Sequence, residues 1–444
     1  MINSVFRIAF GLCTVLPLSG EAQEKTEEGE RSVIKITPQP AKPSAMSIVP
    51  IDESNVFFLN KRGQVGVAKF SPGLSLIEWE FFSEVKWNSL PAIASGPNYS
   101  VILASPWEVT QAFDTDEDVE LDFFQRILSN WPGKERGAQI TAGPVVSPAG
   151  RLLFALSIPE AIPAAEGETP AVEKALVVAW NPKTEDLITV TESTLPIESF
   201  AVDRHGLLAA RLLMPEYQGG YFISLTKLPP FDASAPEMVP DSMPFTLPSL
   251  VVPAELTRNT APTQLTFFNE DGSEKLAAVC PDSSQIIEIA PEEVAGVWGG
   301  SILLRQTVED PVETLVEMKP GELLAGGENG FFPLSGLEEK FRITRLGLAP
   351  DGIEIDLSEE VDRFEAAKSE NYLVQAVSLQ GGETELEVTP TVESDGRTVV
   401  LKTENLPAET VIRIICHRLP SASGETLLSN AAFYTIHKKP VFDD

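Results

Sequence analysis

The sequence predicts an all-β protein in which short strands alternate with tight turns along most of the chain. Two Asp-Gly turns show the pattern: Pro350-Asp351-Gly352 precedes a strand at 353–357, and Ser394-Asp395-Gly396 precedes a strand at 398–402. An Asp-Gly pair beside an alternating apolar strand is a strong hairpin signal, because both residues tolerate the left-handed backbone of a tight turn. Helical periodicity is scarce, so we expect little helix.

The chain is too long for one ordinary core. Its 444 residues are 43% hydrophobic, which supplies apolar material for two or more domains. The formal net charge of -32 argues against nucleic acid and anionic membranes as partners, because both bind basic faces. Cys280 and Cys416 each end an apolar strand, and two buried thiols are favoured over a disulfide.

Residues 1–22 have the pattern of an export signal. Arg7 precedes the apolar run 8–18, and Gly20-Glu21-Ala22 forms a small-x-small cleavage site. The apolar run is too short to span a bilayer, so we expect an exported protein, periplasmic or extracellular, with no transmembrane segment. Residues 23–44 are rich in Glu, Lys, Pro and Thr, which is typical of an exposed linker.

Residues 45–337 repeat one arrangement, a turn followed by a strand of four to seven mostly apolar residues. Lys61-Arg62-Gly63 precedes a strand at 64–70, and Ser147-Pro148-Ala149-Gly150 precedes one at 151–156. A body of about 290 residues, divided by the roughly 40 to 50 residues of a propeller blade, predicts a six-bladed β-propeller. The proline-rich segment 228–262 is expected to cross one face of it as a long excursion.

Residues 338–444 predict a second, smaller domain. Seven short strands in about a hundred residues are typical of an immunoglobulin-like β-sandwich. The predicted strands are 341–346, 353–357, 372–378, 385–389, 398–402, 411–416 and 432–436.

Several phrases near the join of the two domains resemble one known group of proteins. They are the segments 284–289 and 292–300, the strand 322–327 with Gly326-Gly327, the turn and strand 350–355, and Tyr434-Thr435-Ile436. They resemble secreted bacterial β-propeller proteins of the glucose/sorbosone dehydrogenase-like group, which are similar to PQQ-dependent sugar dehydrogenases and carry a C-terminal immunoglobulin-like domain. The resemblance extends over most of residues 50–440, although no single motif in it is diagnostic.

The resemblance implies a cofactor site that the sequence does not reproduce. Relatives in the wider family bind pyrroloquinoline quinone (PQQ) over the central channel with calcium, basic residues and a histidine base. The base removes the alcohol proton while hydride passes to the quinone, and cations hold the cofactor's carboxylates. Here His205 is the single histidine of the predicted propeller, and it lies in the turn 203–206. A turn histidine is more often solvated than catalytic.

Basic residues that could hold an anionic ligand near the propeller face are Arg204, Arg211, Lys227 and Arg258. The alternative interpretation is that they are scattered solvated cations on a very acidic protein, and this is the favoured one.

The strongest local constellation is acidic. Asp114, Asp116, Asp118 and Asp122 alternate along one segment, a pattern that can surround a calcium ion. Glycine is missing where a compact calcium loop needs its sharp turn, so an acidic surface turn is the favoured interpretation.

Two functional hypotheses follow. The first is a non-catalytic or degenerate relative of sugar dehydrogenases that acts in ligand binding or assembly, with a small molecule, glycan or protein as its partner. The alternative is a PQQ-dependent sugar or aldose oxidoreductase whose base is a carboxylate or whose active-site residues the sequence patterns do not locate. The presence of clustered cations and a titratable base at the mouth of the channel would distinguish them.

Overall fold

The computed structural model describes most of the chain beyond the first 42 residues. The described ranges are 43–81, 92–97, 100–115, 121–160, 172–213, 220–228, 243–244, 249–270, 272–334, 340–378, 382–404 and 406–438. The predicted export signal and nearly all of the predicted linker lie outside them. Within them the regular structure is almost entirely β, which confirms the predicted class.

Six sheets of described strands follow one another along the first part of the chain, antiparallel except for one short strand of the third sheet. The first two contain β1 (Ser47–Pro50), β2 (Asn55–Leu59), β3 (Val65–Phe70) and β4 (Leu76–Phe81), then β5 (Ala92–Ser95), β6 (Val101–Ala104), β7 (Val109–Phe113) and β8 (Phe123–Leu128). The third contains β9 (Gln139–Val146), β10 (Leu152–Pro159), β11 (Val172–Trp180) and β12 (Leu187–Ser193).

The fourth sheet contains β13 (Ile197–Val202), β14 (Leu207–Leu212), β15 (Gly220–Lys227) and β17 (Leu250–Pro253), and the intervening β16 (Met243–Pro244) joins β12 of the third sheet in parallel. The fifth begins with β18 (Gln264–Glu270), β19 (Ser273–Cys280), β20 (Gln285–Val294) and β21 (Val297–Thr307). The sixth contains β22 (Thr314–Lys319), β23 (Glu322–Gly327) and β24 (Gly330–Leu334).

The first strands of the six sheets form a closed ring. Each of β1, β5, β9, β13, β18 and β22 contacts the next, and β22 contacts β1. A ring of small antiparallel sheets around a central channel is consistent with the predicted β-propeller.

Both faces of β2 are buried, because the first sheet packs between two neighbouring sheets. On β2, Val56 and Phe58 pack between the first and sixth sheets, whereas Phe57 and Leu59 pack between the first and second. Strands buried on both faces read as continuous apolar runs, which is why the sequence shows few long stretches of strict alternation.

The tail contains two further groups of strands around one core. One sheet has the order β25 (Ile343–Ala349), β26 (Gly352–Leu357), β30 (Thr398–Lys402), β29 (Thr389–Val392), and the other strands are β27 (Tyr372–Ser378), β28 (Glu383–Glu385), β31 (Thr410–Cys416) and β32 (Ala431–Ile436). The one described α-helix, α1 (Arg363–Ala366), is capped by the Asp362 carboxylate, which accepts hydrogen bonds from two backbone N–H groups. Short 3₁₀ helices span Lys134–Arg136, Pro281–Ser283 and Ser369–Asn371.

The tail is joined to the fifth sheet of the ring through its last strand. β32 pairs with β21 from Gly300↔Thr435 to Leu303↔Ala432, so one eight-stranded sheet crosses the junction. The Tyr434 hydroxyl donates to the Glu292 carboxylate at 2.7 Å across the same junction. The predicted boundary between 337 and 338 falls outside the described residues and stays a prediction.

Both cysteines, Cys280 and Cys416, are buried free thiols, as predicted. Among the described residues, no helix is long and apolar enough to cross a membrane.

Candidate binding channel

The six inner strands enclose a central channel of ≈ 830 Å³. Every one of β1, β5, β9, β13, β18 and β22 contributes residues to its wall. A cavity of this volume lies within the range of small-molecule sites, and it is the candidate functional site.

Polar side chains of the channel wall join neighbouring inner strands. Thr314 Oγ1 accepts from the Ile48 backbone N–H at 3.3 Å, and Ser199 Oγ accepts from Leu265 N–H at 3.2 Å. The side-chain oxygen of Gln264 accepts from the Leu315 backbone N–H at 2.7 Å. These groups satisfy backbone donors between strands that do not share a ladder, so they stabilise the ring and are less available to a ligand.

The ionisable groups of the described channel wall are all acidic: Glu198, Glu313 and Glu317. No lysine, arginine or histidine is among the described residues that line the channel. Because Glu198 forms an ion pair with Arg211, it is Glu313 and Glu317 that make the potential of the channel negative and disfavour anionic ligands.

Glu198 is neutralised by the predicted cofactor ligand Arg211. The Arg211 guanidinium is 8% exposed and forms an ion pair with the Glu198 carboxylate. Burial lowers the pKa of Arg211, and the charge of Glu198 opposes that shift. Arg211 therefore lies beside the channel but compensates an existing acid, so it is not free to bind a ligand carboxylate.

Glu317 is held by backbone donors. Its carboxylate accepts from Asn269 N–H at 2.6 Å and from Gly321 N–H at 3.1 Å. Burial raises the pKa of Glu317 in spite of these bonds. Its role is to fix the turn after β22 against β18.

Glu313 is the channel carboxylate with the least compensation. Burial raises its pKa, and the nearby negative charges of Asp282 and Glu328 raise it further. Sequence reasoning missed Glu313, because nothing in its local sequence distinguishes it from other surface glutamates.

The histidine candidate lies away from the channel wall. His205 is in the turn between β13 and β14, with a side chain 68% exposed. Its Nε2 accepts from Arg204 Nε at 3.2 Å, and Arg204 in turn pairs with Glu274 at 3.1 Å. This geometry places His205 and Arg204 in an exposed charged group.

The other two predicted cations, Lys227 and Arg258, lie on other elements of the fold. Lys227 is exposed at the end of β15, and Arg258 is exposed in the connection between β17 and β18. The structure therefore does not bring Arg204, Arg211, Lys227 and Arg258 together into one site.

Half of the predicted calcium loop can be located. Asp122 accepts from the Thr115 hydroxyl at 2.6 Å, and Asp114 is half-buried at the end of β7. Asp116 and Asp118 lie outside the described residues. Among described residues no group of three or more metal-ligating side chains is found, and the calcium site stays a prediction.

The residues of the described channel do not fit PQQ. The cofactor carries three carboxylates and needs cations to hold them, whereas the channel wall presents carboxylates. The channel therefore offers no described cation to the carboxylates of PQQ.

Sequence reasoning also missed a buried charge cluster at the junction of ring and tail. Glu288, 1% exposed, binds Arg305 at 2.6 Å and Lys275 at 2.6 Å, and Glu270 binds the same two cations at 3.1 Å and 2.7 Å. Arg342, just before β25, reaches Glu270 at 3.5 Å. The feature of the sequence that could have indicated this cluster is Glu288, a charged residue inside the apolar strand Ile286-Ile287-Glu288-Ile289.

Comparisons with known proteins find no matching family model and no matching curated protein. Among solved structures the chain is similar to a glucose dehydrogenase, at 13% identity, 67% coverage of this chain, 99% of that chain and a TM-score of 0.42. It is also similar to the PQQ domain of a Coprinopsis cinerea pyranose dehydrogenase, at 12% identity, 66% and 91% coverage and a TM-score of 0.40.

A third similar structure is a Xanthomonas campestris gluconolactonase, at 12% identity, 66% and 85% coverage and a TM-score of 0.41. These sequence identities are too low to assign the activity of any of these proteins to this chain.

Proposed function

We propose that this chain is an exported, six-bladed β-propeller with an immunoglobulin-like tail that binds a neutral or cationic ligand, or a protein partner, without catalysis. The observation that carries the proposal is the described wall of the channel, whose ionisable residues are all acidic and of which only Glu198 is paired with a described cation. The six-membered ring of inner strands supports the blade number, and the shared core of the tail strands supports the sandwich.

The negative charge of the channel wall favours neutral and cationic ligands over anionic ones. An anion entering the channel would approach Glu313 and Glu317 and would gain no described cation in exchange. Like charges in a low-dielectric cavity repel strongly, whereas a neutral glycan or an amine does not incur this cost. A quinone tricarboxylate is the least compatible ligand of those considered.

Reconstitution tests the proposal directly. The purified chain, incubated with PQQ and calcium, should show no saturable binding by calorimetry and no turnover of a sugar panel with an electron acceptor. A PQQ-dependent dehydrogenase serves as the positive control. Saturable binding together with sugar-dependent turnover would overturn the non-catalytic assignment.

Ligand binding can be tested by blocking the channel. Ala92 lines the channel and is exposed, so Ala92→Trp should fill the cavity without disturbing a core. Neutral oligosaccharides and amines that raise the unfolding midpoint of the wild type should lose this effect in Ala92→Trp but keep it in Lys183→Trp, a change in an exposed turn. Equal effects in both variants would place the ligand outside the channel.

The alternative, a PQQ-dependent oxidoreductase, is favoured by one observation, the raised pKa of Glu313 in the channel. A carboxylate with a raised pKa suits general-base chemistry near neutral pH. If turnover is found, Glu313→Gln should lower kcat by roughly a hundredfold to ten-thousandfold, whereas His205→Ala should leave it unchanged.

A further inference from the structure

The turn between β6 and β7 presents a tryptophan side chain to solvent. Trp107 is 51% exposed. The backbone of its turn is fixed, because Ser105 Oγ accepts from Glu108 N–H at 3.2 Å and the Pro106 carbonyl accepts from Ile140 N–H at 3.0 Å. A rigid indole on a fixed backbone loses little conformational freedom when a ligand binds, so this turn is suited to form a contact surface.

A lysine from a neighbouring connection lies against this tryptophan. Lys134, between β8 and β9, donates from Nζ to the Trp107 carbonyl. Its Nζ lies 3.6 Å from the ring centroid of Trp131 and 5.5 Å from that of Trp107. Trp131 is buried, and its indole N–H donates to the Ala138 carbonyl at 3.0 Å. Lys134 is therefore held beside the exposed indole by two contacts.

Two further charged side chains lie in the same group. Arg126 of β8 forms an ion pair with Glu108 at 2.8 Å, and the Arg126 side chain is 63% exposed. Burial lowers the pKa of Lys134, the charge of Glu108 opposes this shift, and the charge of Arg126 adds to it. Both side chains are therefore close enough to act on Lys134. Trp107, Lys134, Arg126 and Glu108 are called the indole site below.

A second exposed aromatic residue shows what is particular to the indole site. Phe364 of α1 is 73% exposed, and the Lys368 ammonium lies 4.2 Å from its ring centroid. Lys368 forms an ion pair with Glu365 at 2.9 Å, which compensates its charge. No described carboxylate forms an ion pair with Lys134, because the nearby Glu108 is paired with Arg126. The indole site therefore has one more cation than it has acids.

We propose that the indole site binds an acidic oligosaccharide, with a uronate ring on Trp107 and its carboxylate at Lys134 and Arg126. The C–H groups of a pyranose ring pack favourably on the negatively polarised face of an indole. The hydroxyl groups of the sugar need donors and acceptors beside that face, and Arg126 and Glu108 supply both kinds of group. The additional cation favours a sugar that carries a carboxylate over a neutral one.

The charge of the whole chain does not prevent this binding. The formal net charge is -32, but salt at about 0.1 M screens exposed charges beyond roughly 10 Å. The residues that follow Lys134, Glu135 and Arg136, have opposite charges and leave the local balance unchanged. The indole site is separate from the channel, whose described ionisable residues are acidic, so this proposal holds or fails independently of the function proposed for the channel.

Oligogalacturonate and its methyl ester test the proposal on the full chain, because esterification removes the charge and keeps the sugar ring. Calorimetry in about 0.1 M salt should show saturable binding of the acid, and the ester should bind more weakly by roughly fivefold or more. In a chain labelled with fluorotryptophan, the acid should shift the fluorine signal of Trp107. Equal affinity for the two ligands, or no saturable binding of the acid, would overturn the proposal.

Three variants test the assigned residues. Trp107→Ala should weaken binding of the acid by roughly tenfold or more, because the aromatic anchor is lost, while an unchanged Trp131 signal shows that the fold around it is intact. Lys134→Met, which keeps an apolar side chain against Trp131, should reduce the preference for the acid over the ester. Arg126→Gln leaves the hydrogen bonds of the turn in place and should act in the same direction. A preference that survives both charge changes would mean that these cations do not bind the carboxylate.

Phe364→Ala is the matched control, because it also removes an exposed aromatic residue beside a lysine, and it should leave the affinity unchanged. Ala92→Trp, which fills the channel, should leave it unchanged as well. Binding that is lost in Ala92→Trp and kept in Trp107→Ala would place the acidic sugar in the channel and contradict the indole site. A glutamate peptide that binds as tightly as oligogalacturonate, and equally to Trp107→Ala, would show that charge alone is recognised, and the proposal would be wrong.

Discussion

Glu288 and Arg305 are 1% and 4% exposed, yet both are charged and joined to each other at 2.6 Å. Burying a charge costs several kcal/mol unless a partner compensates it, so the cluster is stable because two acids and three cations share the site. Arg305 also lies over the Phe268 ring, 4.6 Å from its centroid. The cluster contributes to the orientation of the tail, because Arg342 enters it from the tail side.

Because of Glu270, we expect the free energy of unfolding of this protein to decrease as the pH becomes acidic. Burial raises the pKa of Glu270, but Arg305 and Lys275 outweigh that effect and hold the pKa at about 2, below the ordinary value of 4.5. A lowered folded-state pKa stabilises the native state above pH 4.5, and this contribution, about 3 kcal/mol, is lost as pH falls toward 2. We expect Glu270→Gln to remove most of that pH dependence in denaturant unfolding experiments.

The control for this prediction is Glu78→Gln, which removes an exposed partner of Lys69 at 3.4 Å. Exposed pairs contribute roughly 0 to 1 kcal/mol, so its stability curve should follow that of the wild type from pH 7 to pH 2. A Glu270→Gln curve with the full wild-type slope would show that other carboxylates cause the acid loss.

His205→Ala should leave the protein unchanged in stability to within about 0.5 kcal/mol, because the side chain is exposed and its contacts are those of a surface turn. Urea unfolding at pH 7 measures this. A loss of 2 kcal/mol or more would place His205 in a buried network that the described contacts do not contain.

At the scale of elements, two glycines allow the tail to join the ring. A Cβ on Gly299 would lie 2.5 Å from the Thr435 carbonyl oxygen, and one on Gly300 would lie 2.2 Å from that of Ala290. Gly300 also has φ +143°, which disfavours other residues. The long strand β21 can therefore pair with β20 and β32 at once because these positions carry no side chain.

Gly299→Ala should weaken the junction by about 1 to 3 kcal/mol, because a methyl group would displace the β32 backbone. Calorimetry should show a single cooperative transition in the wild type and two separated transitions in the variant. Gly296→Asn, in the turn before β21 where a Cβ meets nothing within 4 Å, keeps a residue that tolerates positive φ and serves as the control. Two transitions already present in the wild type would contradict a stabilising junction.

Most strands could be predicted from the sequence because their signals are local, but the strand predicted at 385–389 is wrong: β28 ends at Glu385 and β29 begins at Thr389. The turn Asp203-Arg204-His205-Gly206 lies between β13 and β14, and Pro350-Asp351-Gly352 connects β25 to β26, as the turn residues indicated. Pairings between distant segments have no such signal. The contact of Glu270 with Arg342 and the ladder between β21 and β32 depend on the assembled ring, so local patterns could not indicate them.

The candidate site was predicted less well for the same reason. The sequence raised doubt about His205, which the structure places in an exposed turn, and it grouped Arg204, Arg211, Lys227 and Arg258 by residue type rather than by position. Arg211 lies beside the channel because its strand faces Glu198, and that depends on the pairing of β13 with β14. Glu313 lines the channel because the inner strands assemble into the ring, which no local pattern indicates.

At the scale of the whole molecule, 65 acidic residues face 33 basic ones, which gives a formal net charge of -32 at pH 7. Excess charge of one sign destabilises a compact state through self-repulsion. Salt screens exposed charges beyond roughly 10 Å at 0.1 M, whereas the buried pairs around Glu288 are screened much less. Salt should therefore relieve the repulsion more than it weakens the junction.

Raising the ionic strength from about 0.01 M to about 0.1 M at pH 7 should raise the unfolding midpoint, because the Debye length falls from roughly 30 Å to roughly 10 Å. The increase should shrink near pH 4.5, the sequence pI, where the net charge approaches zero. Circular dichroism melts at the two pH values and two salt concentrations measure both effects. A midpoint that falls with salt at pH 7 would mean that attractive pairs, such as Arg345 with Asp356, outweigh the net repulsion of the acidic surface.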